Sequence, residues 1–334
     1  MILAGDIGGT KTNIAFFECG TSLHVAVEQT FPSHEHAGLD EIVRQFVSRH
    51  QLRVQQAAFG VAGPVRNGRC ETTNLPWVVD AATLATELGI PGVWVINDLE
   101  ATAYGIAALA PADFVTLNAG AADAAGNAAI IAAGTGLGEA GLYWDGRTHH
   151  PFATEGGHAN FGPSDALERE LLGWLSGQFD HVSWERVVSG MGLVNIYHFL
   201  RDTNRGEEPA WLADQMRAGD AAAVIAVAAK NGNSPLCAQA LDLFMALYGS
   251  EAGNLALKIM ATGGVYIGGG IAPRDLEKLK DGAFMRRFVA KGRMQPLLEA
   301  MPVKVILNEK TALIGAARCA AVRSGLAGGL MPAT

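Results

Sequence analysis

Cysteine is scarce and scattered. Cys19, Cys70, Cys237 and Cys319 form no C-x-x-C pair, so neither a disulfide framework nor a zinc ribbon is encoded. They read as free, mostly buried thiols of a reducing compartment. Basic runs are also missing, and the net charge is −8. A nucleic-acid binder presents a basic face, so no DNA or RNA partner is expected. Phosphorylated metabolites remain open, because backbone N–H groups and a metal ion hold phosphate without a basic surface. No stretch reaches the ~18 apolar residues of a membrane span. The opening MILAGDIGG has no basic region, and an acid interrupts its apolar run. No membrane partner and a cytoplasmic location are the expectation.

Glycine, by contrast, is plentiful: 41 of 334 residues, above the usual ~7%. The glycines cluster beside apolar runs, which points to tight turns and close ligand approach rather than linkers. The length allows two domains, each with a core.

MILAGDIGGTKTNIAFFE reads as strand, turn, strand, and another strand follows near Leu23 to Gln29. Leu39, Ile42, Val43, Phe46 and Val47 fall at helical spacing. QAAFGVAGPV and GVWVIND are buried strands, with a short helix near Ala81 to Leu88 between them and a helix LEATAYGIAAL after them. The first ~110 residues therefore run βββαβ…αβα. After AGAADAAGN the pattern restarts: NAAIIAAGTGLGEAGLYWDG is again strand, glycine turn, strand. Helices are expected at Ser164 to Ser176, Trp184 to Val188, Gly192 to Arg201 and through CAQALDLFMALYGSEAGNLALKIMA. Strands GGVYIGGGI and VKVIL and the helix TALIGAARCAAVRS close the chain. Two halves with the same opening amount to an internal pseudo-repeat, so the expected architecture is two-lobed α/β with the ligand between the lobes.

GDIGGTKT nearly spells the phosphate loop G-x-x-x-x-G-K-[ST], but Thr10 replaces the second glycine and a strand-like run follows Lys11. A true P-loop feeds a helix. The reading is a hairpin turn whose amides face phosphate, with Asp6 placed to hold Mg²⁺ directly or through water. A plain turn is the alternative for GGT alone. Gly136, Gly138 and Gly141 spell G-x-G-x-x-G, yet again no helix follows, so the dinucleotide reading fails. Two glycine hairpins could instead clamp a triphosphate, and the third cluster, in GGVYIGGGI, leaves room for a flat base.

Asn97 and Asp98 stand where a buried strand meets a helix. Asp98 is either an N-cap or a general base accepting a hydroxyl proton during phosphoryl transfer. TEGGHANFG offers Glu155 and His158 on a turn, either a pair suited to neighbouring hydroxyls of a polyol or a histidine satisfied within its own loop. Glu185 falls in the first turn of a helix begun by Ser183, where the helix dipole alone would account for it. His34-Glu35-His36 reads as solvated surface.

With these residues in place, the chain resembles the bacterial glucokinase family of the hexokinase/actin-like ATPase superfamily. The matching segments are GDIGGTKT, GVAGPV, WVINDLEATAYG, AAGTGLGEAGL, EGGHANFGP, SWERVVSGMGLVNIY, GGVYIGGGIAPR and ALIGAARCAA. The resemblance implies a two-lobed actin-like ATPase (ribonuclease H-like) fold with the active site in the interdomain cleft. One domain would be 1–109 plus 311–334, the other 110–310.

Carried over residue by residue, the resemblance makes Asp98 the base and Asn97, Asp98, Glu155, His158 and Glu185 the sugar ligands. Gly5, Asp6, Ile7, Gly8, Gly9, Thr10 and Lys11, with Gly134, Thr135, Gly136 and Gly138, form the phosphate turns. Gly268, Gly269 and Gly270 flank adenosine. ATP and Mg²⁺ are the implied cofactors, glucose the substrate and a homodimer the assembly. Many relatives read G-G-T-N where this chain has G-G-T-K, so Lys11 would add a phosphate contact. Residues 201–235 match the family poorly. The related repressor/open-reading-frame/kinase group carries a cysteine-rich zinc motif after E-x-G-H, and none follows His158. The rival readings are a kinase for mannose, fructose or glucosamine, a non-catalytic sugar sensor, and an assembly protein on the same fold.

Overall fold

A computed structural model describes residues 1–326. The described residues form two compact units: Met1–Phe114 with His150–Ala153 and the segment that starts at Asn308, and Val115–His149 with Thr154–Leu307. Of the expected segment 311–334, residues 327–334 lie outside the described residues.

The first unit contains β1 (Ile2–Ile7), β2 (Lys11–Cys19), β3 (Leu23–Pro32), α1 (Leu39–His50), β4 (Gln56–Val61), β5 (Arg69–Glu71), β6 (Val78–Asp80), α2 (Ala81–Leu88), β7 (Val93–Asn97) and α3 (Asp98–Ile106). Its main sheet has the order β3-β2-β1-β4-β7, antiparallel through β3, β2 and β1 and parallel from β1 to β7. Side chains alternate across the strands. Leu3, Ile14, Phe16 and Phe59 face α1, whose Ile42, Val43 and Phe46 are fully buried there. Ile2, Ala4, Ala15 and Ala58 face the last helix, Thr311–Arg323, and α3.

Those two helices cross at glycines. A Cβ on Gly315 would lie 1.7 Å from the Ala101 carbonyl oxygen, and one on Gly105 would lie 2.1 Å from that of Thr311. Only glycine permits such an approach.

The elements that follow are β8 (Phe114–Asn118), β9 (Ala128–Ala133), β10 (Leu137–Trp144), β11 (His149–Thr154), α4 (Ala166–Ser176), α5 (Gly190–Asp202), α6 (Ala210–Ala218), α7 (Ala221–Lys230), α8 (Pro235–Ile259), β12 (Gly264–Gly268) and β13 (Val303–Ile306), all in the second unit except Phe114 of β8 and His150–Ala153 of β11. The sheet order is β11-β10-β9-β12-β13-β8. β9 and β10 form an antiparallel hairpin, and β12 runs parallel to both β9 and β13. α8 buries Phe244, Met245, Leu247, Tyr248, Leu255 and Ala256, anchoring the core.

The edge strands β8 and β11 escape the sequence reading. β11, HHPFAT, is largely exposed and holds Pro151, which suits an edge where one N–H needs no ladder partner. The helix expected at Trp184 to Val188 is a single 3₁₀ turn, Trp184–Arg186. It stops because Ser189 caps α5, accepting from Gly192 N at 3.0 Å. The stretch 201–235 folds as α6, α7 and the start of α8.

Candidate active site

In the first unit, β1 runs into a tight turn and β2 begins at Lys11, so GDIGGTKT is a hairpin rather than a P-loop. Gly8 N donates to Lys11 O at 3.0 Å. Gly5 and Ile7 are buried inside β1, whereas Thr10 and Lys11 are exposed at the turn. Ser33, which sequence reasoning passed over, braces this turn. Its N–H donates to Thr10 O at 3.0 Å, its hydroxyl donates to Gly8 O at 2.9 Å, and Thr12 Oγ1 lies 3.0 Å from its Oγ.

Burial pushes the Asp6 carboxyl above its ordinary value, against the Asn13 side chain and the Lys11 charge. A carboxylate so placed favours a nearby cation. Mg²⁺ is commonly held by one or two carboxylates plus phosphate and water, and Asp6 fits that pattern. Among the described residues no group of three or more His, Cys, Asp or Glu is placed to hold a metal by itself.

Asn97 and Asp98 resolve differently from the capping alternative. Asn97 is the N-cap of α3: its Oδ1 accepts from Leu99 N at 2.9 Å and Glu100 N at 3.3 Å, and its Nδ2 donates to Gly63 O at 3.2 Å. Asp98 is the first helical residue, with Oδ1 accepting from Leu99 N at 2.9 Å. With the cap supplied by its neighbour, the half-buried Asp98 carboxylate stands at the carboxyl end of β7, where α/β proteins place ligand chemistry.

In the second unit, Gly134, Thr135 and Gly136 join β9 to β10, with Ala133 opposite Leu137. The G-x-G-x-x-G spacing therefore lies on a hairpin and opens no helix. Gly190 N, at the start of α5, donates to Gly134 O at 2.8 Å. Tyr248, fully buried on α8, accepts from Ala133 N at 3.2 Å, and its hydroxyl lies 3.4 Å from Gly268 O, tying this turn to the end of β12. Gly269 has φ +80, a left-handed conformation that favours glycine. A cavity of about 490 Å³ is lined by Gly134, Thr135, Gly190, Asp220, Gly270 and Arg274. The poorly matching stretch thus contributes Asp220, which also caps α7.

Glu155, Gly156, Gly157 and His158 form a turn after β11, with His158 N donating to Glu155 O at 3.0 Å. Both Glu155 and His158 are exposed. Glu185, for which the helix dipole was the structural alternative to a sugar contact, sits on one 3₁₀ turn, too short for a macrodipole, and Leu137 N donates to its Oε2 at 2.9 Å. Ser189 donates its hydroxyl to Glu185 O at 2.7 Å, locking that segment. His158 and Glu185 share a second cavity of about 410 Å³ with Gln178, His181, Ser183 and Arg186, and Glu155 lies at the start of the same turn, outside that lining. His181 Nε2 lies 2.9 Å from the His158 carbonyl oxygen.

His34 and Glu35 are exposed as expected, but His36 is half-buried, its Nδ1 3.3 Å from Glu41 Oε1. Cys70, Cys237 and Cys319 are buried and Cys19 is partly exposed, and none of the four is in a disulfide among the described residues. No helix among the described residues is long and apolar enough to cross a membrane.

Two sheets, each with a parallel centre and a glycine hairpin, define the class: the actin-like ATPase fold as sugar kinases carry it. The crystal structure of a glucokinase from an Antarctic psychrotroph superposes with a TM-score of 0.82 at 32% identity, covering 96% of this chain and 98% of that one. A ROK family glucokinase from Streptomyces griseus, crystallised with glucose and AMPPNP, shares the fold with a TM-score of 0.62 at 21% identity, covering 96% and 98%. The family model described as Glucokinase matches residues 3–323. A glucokinase of Nostoc sp. is 45% identical over 338 residues, 96% of this chain and 99% of its own. The chain belongs to the glucokinase family.

Proposed function

We propose that the chain transfers the γ-phosphoryl group of ATP to the 6-hydroxyl of D-glucose, with Asp98 as general base, working as a Mg²⁺-dependent cytoplasmic homodimer. Family membership over nearly the whole chain supports the reaction. The dimer rests on the family resemblance, and the location on the scattered cysteines, which read as thiols of a reducing compartment. One observation carries the site assignment. Glu185 grips the second glycine turn through Oε2, while its side chain also lines the cavity that holds His158. A single carboxylate thereby couples sugar holding to phosphate holding.

In this reading Glu155, His158 and Glu185 bind ring hydroxyls, and Asn97 adds the remaining hydrogen of its Nδ2. Asp98 accepts the 6-hydroxyl proton as the oxygen attacks phosphorus. Amides of Gly8 to Lys11 and Gly134 to Gly136 donate to phosphate oxygens, where fixed donors act without reorganising. Mg²⁺ held at Asp6 would neutralise phosphate charge when bound. Orienting the hydroxyl in line with the γ-phosphate contributes on the order of 7–11 kcal/mol in favourable systems. The Gly134–Gly270 cavity takes the nucleotide.

The test is direct. Purified protein with Mg-ATP and glucose is expected to yield glucose 6-phosphate, identified by ³¹P and ¹³C NMR, at higher kcat/KM than with mannose, fructose or glucosamine. Absence of any sugar phosphate would overturn the reading, and a faster competing hexose would reassign the substrate. Glu185→Gln is expected to weaken glucose binding by roughly 10- to 100-fold, since a hydrogen bond to a charged group contributes ~1.5–3 kcal/mol. Gln still accepts from Leu137 N, so the turn is preserved. Calorimetric titration with glucose measures the effect, and unchanged affinity removes Glu185 from the sugar set.

A further inference from the structure

Glu139 follows Gly138 on β10 and is carried straight into the interior, 1% exposed. Glu251, in the middle of α8, is 0% exposed. The two carboxyls act on one another, but they are provisioned unequally. Lys258 Nζ lies 3.1 Å from Glu251 Oε1, and Asn254 Nδ2 donates to Glu251 Oε2 at 2.7 Å. Glu139 Oε1 is buried with no hydrogen-bond partner among the described residues. An ionised carboxylate left so is prohibitively costly, whereas a protonated one supplies its own donor.

The surrounding charges agree. Burial first, and the Glu251 charge next, push the Glu139 carboxyl up to about 8, with Lys258 opposing. Burial likewise raises Glu251 against Asn254, Lys258 and Lys291. Lys291, whose Nζ donates to Ser250 O at 2.9 Å and Asn254 Oδ1 at 2.7 Å, is itself lowered to about 8 by burial, with Glu251 opposing and Arg287 and Glu168 beyond. The Tyr248 phenol, raised by burial, faces Glu139 from α8.

The Glu155–His158 turn rests on Glu139. A Cβ added to Gly156 would lie 1.9 Å from Glu139 Oε2, and one on Gly157 would lie 2.1 Å from Leu137 O. Thr154 Oγ1 donates to Glu139 O at 3.0 Å and accepts from Gly156 N at 3.3 Å. The paired glycines of E-G-G-H let the turn lie flat on this carboxyl.

We propose that Glu139 and Glu251 hold one proton between them, and that this pair is a positioning brace under the turn carrying Glu155 and His158. The positioning role rests on assigning that turn to the sugar. When the proton leaves, two buried like charges repel, the support under Gly156 shifts, and sugar affinity falls while nucleotide affinity is retained. A carboxyl whose folded-state value is raised contributes stability that is full below its ordinary value of 4.5 and is lost as pH rises through about 8.

The test compares the wild type with Glu139→Gln, which keeps the shape and removes the titration. In the wild type the melting temperature is expected to fall between about pH 4.5 and about pH 8 and then level off, and the glucose KM to rise roughly threefold or more as the pH passes through about 8. The ATP KM should change less than about twofold, and both pH trends should flatten in Glu139→Gln. Melting curves that run parallel in the two proteins overturn the shared proton. A melting trend that flattens in the variant while wild-type glucose KM stays level overturns the brace. Failure of glucose phosphorylation itself is read separately, from product analysis. If Glu139→Gln does not fold, Glu251→Gln is subjected to the same measurements and the same outcomes decide.

Discussion

Asp98→Asn is expected to lower turnover by ~10²- to 10⁴-fold, the usual contribution of a general base, while glucose affinity stays within a few-fold. Asparagine keeps the size of the side chain and can still accept from Leu99 N, the contact made by Asp98 Oδ1 at 2.9 Å. Asn97 continues to cap α3 through Leu99 N and Glu100 N, so the helix start survives. What disappears is the site that receives the hydroxyl proton, together with one negative charge at a helix N-terminus, worth about 0.3–1 kcal/mol of stability. The loss therefore falls on kcat rather than on KM or folding. Steady-state kinetics with a circular-dichroism control measures it, and undiminished turnover would falsify the assignment of Asp98 as base.

Gly315→Ala is expected to destabilise the first unit by ~1–3 kcal/mol or more, as overpacking does. The added carbon would sit 1.7 Å from Ala101 O and 2.6 Å from Gly105 N, both backbone atoms with no rotamer to yield. The helices must separate, and α3 carries Asn97 and Asp98 at its start. A lowered melting temperature and a lowered kcat should accompany each other. Arg323→Ala is the contrast: it removes a 3.0 Å pair with Glu100 at the far end of the same crossing, and partly exposed pairs contribute only ~0–1 kcal/mol. A melting temperature for Gly315→Ala within about a degree of wild type would show that the crossing tolerates a methyl group.

Several sequence readings depended only on neighbours along the chain, and these survive in detail. The rejection of a P-loop needed only the strand-like run after Lys11, and β2 does begin there. The helix at Leu39 to His50 announces itself through an apolar stripe at helical spacing, which buries Leu39, Ile42, Val43 and Phe46. Asp98 was legible as an acid at a strand–helix junction. Its exact post was not, because two adjacent cap formers compete, and backbone geometry chose Asn97. Glu185 was legible as an acid near a helix start, but what it holds was not. Its partner, Leu137 N, is 48 residues away in the chain.

By itself, then, the order of residues determined the two glycine hairpins, the alternating strands and amphipathic helices around them, and the set of polar groups proposed for phosphoryl transfer. Those features follow from side-chain period and turn chemistry, which act over a few residues. Tertiary structure alone decided that Ser33 braces the first turn, that Glu185 holds the second, that Gly105 and Gly315 let two helices touch, and that Glu139 meets Glu251 in the core. Each of these joins segments far apart in the chain, and the free energy of such a contact depends on burial and close packing that no local pattern encodes.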